Sequence, residues 1–414
     1  MSLRWVVLLL AMVAALQAQT GKDTCVECHA ALEGDLGRSA QLFERDIHKK
    51  NGFSCVACHG GDPSSEDLSV AMSPKRGFLG KIDRRAVPGR CARCHSDATL
   101  IHRFKPQQRV DQLAQYQTGV HGRRLAAGDT RVANCVDCHS VHDIRDVKDA
   151  EAPVHPLRLP ETCARCHADS AHMKGYGIPT DQFEKYRRSV HWEALAERGD
   201  LSAPSCATCH GNHAAVPPGV TSVVHVCGSC HVVFENLFAK SPHKKAFDSL
   251  GLGGCVVCHG NHEVAKPTVA MVGVQAGAVC LNCHVEGDAG YRAAGTMRAR
   301  IEELGAALAR SDAILKKAES SGMEVSEARL EWGSASENLI KAKVDLHSFD
   351  PAVVEAAAKK GLEATQATYR AGQKALDERD FRRKGLALAL VTIAVTMLGL
   401  WLAVRGLDGG RSRS

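Results

Sequence analysis

Residues 255–262 read CVVCHGNH: two thiols separated by two residues, an imidazole directly after the second, and another imidazole three places on. The first five residues of that pattern recur nine times in the 414-residue chain and use all 18 cysteines. The runs are Cys25, Cys28 and His29; Cys55, Cys58 and His59; Cys91, Cys94 and His95; Cys135, Cys138 and His139; Cys163, Cys166 and His167; Cys206, Cys209 and His210; Cys227, Cys230 and His231; Cys255, Cys258 and His259; and Cys280, Cys283 and His284. A CxxC alone suits a redox dithiol or half a zinc site. With histidine always fifth, the pattern is that of a covalently attached c-type haem. The thiols form thioethers with the vinyl groups, and the adjacent imidazole lies under the iron as proximal ligand. Zinc sites and a disulfide framework are the alternatives, and neither requires histidine at the same place each time.

The nine runs lie between residues 25 and 284, roughly 29 residues per motif, too little chain for a conventional side-chain core around each one. Stacked porphyrins then supply much of the core, which agrees with an aromatic content of only 5%. The expected fold is mostly α and irregular: a haem-cored segment of short helices and loops, then a helical bundle or stalk, then a C-terminal transmembrane helix. The formal charge of +6 does not argue for nucleic acid. A ferric haem with two ionised propionates and two neutral imidazoles carries about −1, so nine haems outweigh the basic excess.

After the first motif the others come in pairs, and a similar phrase announces each pair: FERDIH ending at His48, YQTGVH at His121, YRRSVH at His191 and FAKSPH at His243. An aromatic residue stands five positions before each of these histidines. In three of the four modules a further histidine follows the first motif by three residues: His142, His213 and His262. One motif plus four two-motif modules accounts for all nine, as expected from duplication of one unit. An iron has two axial positions and CxxCH fills one, so these seven histidines are the candidate distal ligands. His142, His213 and His262 lie too close to their own motifs to reach over the same ring and are expected to serve a neighbouring module. His102, His155, His172 and His225 are undecided between ligation and ordinary structure. Methionine is the other distal ligand type, and only Met72, Met173 and Met271 lie in this region.

Arg4, the apolar run Trp5–Leu16 and the small residues near Ala18 read as an export signal over 1–18. The haem-bearing domain is expected over 19–289, a helical stalk or bundle over 290–384, a membrane span over 385–405 and a cytoplasmic tail over 406–414. Leu386–Val404 contains no charge in 19 residues, about 28 Å as a helix. Basic residues flank both ends equally, so orientation follows from the export signal: haems in the periplasm, tail in the cytoplasm. Between Tyr291 and Asp380 the apolar stripe of Ile301, Leu304, Leu308 and Leu315 marks a packed helix. Gly322 and the SFDP of 348–351 mark breaks, with Asp350 as N-cap and Pro351 opening the next helix. His347, at the end of the second helix, is expected to have a helix-terminal or surface role.

The CxxCH runs with the blocks YQTGVHG…CVDCHSVH and YRRSVHW…CATCHGNH resemble the multihaem cytochromes c of the doubled-CxxCH, cytochrome c3-like family over residues 25–284. The resemblance implies periplasmic electron transfer through low-potential bis-histidine haems. The helical extension and anchor depart from the family's soluble members and put a redox partner at the membrane. The expected partners are a membrane quinol-oxidising or b-type cytochrome or iron–sulfur subunit, periplasmic redox proteins, and a second copy through the helical region, with no nucleic acid. The expected function is an electron conduit in anaerobic respiration. The alternative is a multihaem reductase of nitrite, hydroxylamine or a sulfur oxyanion with one haem open on its distal side, sought first at His29 or His284. A filament-forming cytochrome is the third reading, and a tail anchor weighs against it.

Overall fold

The computed structural model describes residues 23–214 and 223–411; the expected export signal lies outside them. Among the described residues every regular element is helical, and short helices and loops give way to long helices after Asp288. The chain divides into two compact units, Met1–Cys227 with His259–Lys266, and Gly228–Cys258 with Pro267–Ser414.

Seven of the nine motifs lie on short α-helices, such as Thr24–Ala30, Leu159–His167 and Cys206–His210, and the other two adjoin 3-10 turns at Val223–Ser229 and Val279–Asn282. One helical turn is what CxxCH needs, because residues three apart share a face. Local chemistry starts these helices. Asp23 accepts from the backbone N–H of Cys25, Pro88 and Pro160 stand in the first turns of their helices, and Asn134 with Asp137 forms a capping box. The first motif of each module ends on a residue with positive φ: Gly60 at 69°, Ser140 at 72°, Gly211 at 77° and Gly260 at 72°. For the first three, ψ is −161°, 177° and 166°, a region that side chains rarely tolerate. This turn swings the chain so that the histidine three places on points away from its own motif.

The announcing phrases share one turn. The backbone N–H two residues before the histidine donates to the carbonyl of the aromatic: Asp46 to Phe43 at 3.0 Å, Gly119 to Tyr116 at 3.0 Å, Ser189 to Tyr186 at 2.9 Å and Ser241 to Phe238 at 2.9 Å. The aromatic then ties the phrase to the coming motif. Tyr116 donates its hydroxyl to the carbonyl of Ala133 at 2.8 Å, and Tyr186 to that of Pro204 at 2.7 Å, each two residues before a motif cysteine.

Within the first unit one joint between modules occurs twice. Ile47 N–H donates to Ile144 O at 2.7 Å, and Val190 N–H to Val264 O at 2.9 Å. Beside each bond lies an ion pair: Arg45 with Asp143 at 3.1 Å, and Arg188 gripping Glu263 through two bonds of 2.9 and 2.7 Å. The phrase of one module thus docks on the segment just after the first motif of the next.

In the second unit three helices, Ala289–Ser320, Ser326–Asp345 and Pro351–Arg411, pack together. Ile301, Leu304, Leu308 and Leu315, the stripe seen in the sequence, are all buried. They meet Ala335, Ala342, Val354 and Ala358 from the other two helices. Gly361 and Gly372 let the third helix approach closely, since a Cβ there would come within 2.6 Å of Leu304 and 2.8 Å of Ile314. Gly322, at φ 76°, ends the first of the three, and Asp350 caps the third through the N–H of Ala352 at 2.9 Å. The third bundle helix and the apolar segment form one continuous rod. Its most apolar 18-residue window has a mean hydropathy of 2.4, and none of it is buried within the chain.

Ser140 is a serine in a backbone region suited to glycine. Ser140→Gly should stabilise the protein and Gly211→Val should destabilise it, each by about 1–2 kcal/mol, read as opposite shifts of the denaturation midpoint by circular dichroism.

Candidate metal centres

The histidines meet in twos. His48 faces His95 with ring centroids 6.0 Å apart, His59 faces His142 at 6.0 Å, and His121 faces His167 at 6.1 Å. His139 faces His213 at 6.2 Å, His210 faces His262 at 5.9 Å, and His243 faces His284 at 5.9 Å. In every pair one ring belongs to a CxxCH motif and the other comes from elsewhere in the chain. Two metal–imidazole bonds of about 2 Å, plus about 1 Å from each ligating nitrogen back to its ring centre, give about 6 Å. The residues therefore fit an iron held between two imidazoles, beside a pair of thiols that would anchor its porphyrin.

The six pairs fall into two classes. Where the distal ring comes from the histidine after a first motif, the planes are close to parallel: 25° for His59 and His142, 10° for His139 and His213, 14° for His210 and His262. Where it comes from an announcing phrase the planes cross: 86° for His48 and His95, 51° for His121 and His167, 81° for His243 and His284. The source follows module order. In these six pairs the second motifs of the first, second and fourth modules face their own module's phrase, and the first motifs of the first three modules face the following module.

Neighbouring groups orient these rings. His48 Nδ1 lies 2.9 Å from Asp46 Oδ1; a carboxylate only accepts, so the proton sits on Nδ1 and Nε2 carries the lone pair. Asp46 is buried and also accepts from the N–H groups of His48 and Ile144, both at 2.8 Å. Burial pushes its carboxyl up, and these bonds more than reverse that, holding it below the usual range. The Ile144 bond also couples the ligand's orientation to the module joint. His59 Nδ1 donates to Gly80 O at 2.9 Å, and His284 Nδ1 lies 3.3 Å from Asp288. His243 is held by rings instead, Phe349 at 3.9 Å and Phe247 edge-on at 5.6 Å. Burial drives the imidazole of His139 down to about 4, with repulsion from His213 and His95 adding to it. Burial likewise lowers His121, His167, His210 and His262. The neutral form so favoured is the one that ligates a metal.

Successive motifs are also neighbours. The Cys25 thiol acts on Cys55, Cys58 lies near Cys91 and Cys94, and Cys138 near Cys163 and Cys166. The helix Val87–His95 packs on Cys135–His139, and Leu159–His167 on Cys206–His210. In the second unit Cys258 lies near Cys280 and Cys283. At these places motifs adjacent in the chain are adjacent in space.

Three further histidines lie at the ends of short helices. His191 follows the Ser189 cap at the start of a short helix, His231 precedes the helix Val232–Ala239, and His259 ends the helix Cys255–His259. His29 stands outside the six pairs. His102 is exposed on the helix Ala98–Phe104 and bonds to Gln108 O at 3.1 Å, and His172 is half-buried on a four-residue helix. His155 is buried and accepts from the N–H of Leu157 at 3.4 Å, an ordinary structural role. His225 lies in the run Val223–Ser229. His347, expected in a helix-terminal or surface role, stands at the helix end with Nδ1 3.0 Å from Val344 O, and its ring is half-buried against Phe234 at 4.7 Å rather than on the surface. Sequence reading also missed Asp46 as an orienting group and the module joint. The pairing of Arg45 with Asp143 and Arg188 with Glu263 had a signal: an arginine three before the phrase histidine and an acid just after the histidine of the next module.

Residues 47–168, which hold the first two modules' facing pairs up to His167, match the family model described as cytochrome c3. No curated protein and no solved structure matches the chain. The matched segment is thus similar to the cytochrome c3 family, in which c-type haem is bound covalently and electrons are transferred.

Proposed function

We propose that the chain is a nine-haem, tail-anchored periplasmic cytochrome that carries electrons between a quinol-linked redox partner in the membrane and acceptors in the periplasm. The observation that carries this reading is the ordered contact of successive CxxCH motifs combined with imidazoles that face each other in pairs. Each bound haem would supply a one-electron couple between ferric and ferrous iron. The chain's residues do the rest. Histidines on both faces leave an iron no vacant position, and rings fixed by Asp46, Gly80 and Asp288 keep the ligand set unchanged between oxidation states. Thiol pairs in contact hold neighbouring porphyrins close enough for electrons to pass. The uncharged 19 residues from Leu386 to Val404 suit an anchor and contain no histidine for a haem of their own. A second copy joined through the helical region is part of the same reading.

A second reading is favoured by His29, which no imidazole faces among the described residues. A haem there would be open on its distal side and would suit reduction of a small nitrogen or sulfur oxyanion, with the other haems feeding it.

Three measurements test these readings. In the oxidised protein, electron paramagnetic resonance should show two families of low-spin signals: rhombic ones from the near-parallel imidazole planes and strongly anisotropic ones from the crossed planes. Signals of one family only would contradict the paired geometry. Removing the fourth motif's thiols together (Cys135→Ala with Cys138→Ala) should cost one haem and slow reduction of the haems beyond it, read by stopped flow, by at least tenfold. Unaltered kinetics would dismiss a linear conduit. Carbon monoxide added to the reduced protein should take up about one equivalent if the His29 haem is open, and none if all irons have two internal ligands.

A further inference from the structure

We propose that Phe349, in the turn between the second and third bundle helices, is a positioning residue for His243 and raises the midpoint of the haem carried by Cys280 and Cys283. Its ring does by packing what Asp46 does for His48 by hydrogen bonding. The proposal rests on the multihaem reading above and deepens it at one centre.

The first argument is what the fourth phrase lacks. Two residues before its histidine the first phrase has Asp46, whose carboxylate lies 2.9 Å from Nδ1 of His48. The fourth has Ser241 there, and its hydroxyl donates to Phe238 O at 2.7 Å. The second and third phrases are tied to the coming motif by the hydroxyls of Tyr116 and Tyr186; the fourth carries Phe238 at that place, which has none. The first and third phrases dock on the following module through Ile144 and Val264, and the fourth module is followed by the bundle. His243 Nδ1 is buried with no hydrogen-bond partner among the described residues.

The second argument is what the bundle supplies. Phe349 follows the 3-10 turn Leu346–Ser348 and lies in the same unit as His243, Cys280, Cys283 and His284. Its ring centroid is 3.9 Å from His243 at 42° and 6.5 Å from Phe238 at 73°, so it reaches both the aromatic and the histidine of the phrase. Phe247, one helical turn after His243, lies 5.8 Å from Phe238 and 5.6 Å from His243, edge-on at 89°. Three phenyl rings thus surround the imidazole that faces His284 at 5.9 Å and 81°. Phe349 holds φ 55° and ψ 25°, a left-handed conformation that glycine or asparagine ordinarily supplies after a helix. A phenylalanine there is strained, and its contacts with the phrase hold it. A turn alone would be better served by glycine; what the position gains from phenylalanine is the ring. The electronic consequence follows from the missing acceptor. A ligating imidazole whose Nδ1–H is hydrogen-bonded is the stronger donor and favours ferric iron. Enclosed by apolar rings, His243 donates less, and the ferrous state gains.

The test uses the full-length holoprotein. Phe349→Gly relieves the backbone strain and removes the ring. It should keep the parent's haem count, lose one strongly anisotropic low-spin signal in electron paramagnetic resonance, and titrate one haem at a lower midpoint, because water then reaches Nδ1. Adding Ser241→Asp, which copies the first phrase, to Phe349→Gly should restore the signal while the midpoint stays low. Ser241→Asp alone should lower the same midpoint with the ring in place, and this arm decides where Phe349→Gly does not retain its haems. A spectrum and titration unchanged from the parent in Phe349→Gly, or an unchanged midpoint in Ser241→Asp, would overturn the proposal and leave the multihaem reading intact. A parent whose Cys280–Cys283 peptide carries no haem by mass spectrometry would overturn both.

Discussion

The structure depends on one constraint: two imidazoles from separate parts of the chain must face each other across about 6 Å, the span of an iron with two nitrogen ligands. The short helices bury few large apolar side chains of their own, as expected when about 29 residues serve each motif. On the multihaem reading proposed above, cross-linking by ligation would replace the ordinary core. In three of the six pairs the second histidine is drawn from the following module, and these pairs would act as staples between modules.

The staples need support that is directional rather than strong. Exposed ion pairs such as Arg45 with Asp143 are worth about 0–1 kcal/mol, too little to hold modules together. They stand beside the backbone bonds Ile47 to Ile144 and Val190 to Val264, and together these set register. Asp46 joins the two levels, since one carboxyl orients the His48 ring while accepting from Ile144. A shift at the joint would turn the ligand. Rigid ligation of that kind suits electron transfer, where a ligand set common to both oxidation states keeps reorganisation small.

Much of this was legible in the residues. The nine motifs, the four phrases and the three following histidines are spacing patterns, and spacing survives without coordinates. Ile301, Leu304, Leu308 and Leu315 showed their burial through helical period alone. What spacing could not carry was pairing across distance. Nothing local assigns His142 to His59, and nothing marks Asp46 as different from any other aspartate before a short helix. His347 keeps the helix-terminal place expected of it, with Nδ1 3.0 Å from Val344 O. A histidine at a helix end ordinarily caps carbonyls, and only the inward turn after Asp345 sets its ring against Phe234. The continuity of the last helix was hidden too, because a change from amphipathic to uniformly apolar composition reads as a boundary while the backbone hydrogen bonds run through it.

That continuity bears on how the molecule works as a whole. The third bundle helix packs through Gly361 and Gly372 against the buried stripe of the first, and the same helix continues into the unburied apolar stretch. Its first turn begins two residues after the Phe349 that contacts His243. A single helix therefore starts beside a ligand of the last motif and ends in a segment long enough to cross a bilayer. A rod with bonded backbone throughout transmits position without slack, so the distance from the apolar segment to that end of the motif series is fixed by helix length. A flexible tether would leave a membrane partner to find the haems by diffusion. On the reading proposed above, a bundle that seats the last motif at a set height would let contact with a membrane partner and electron entry be one event.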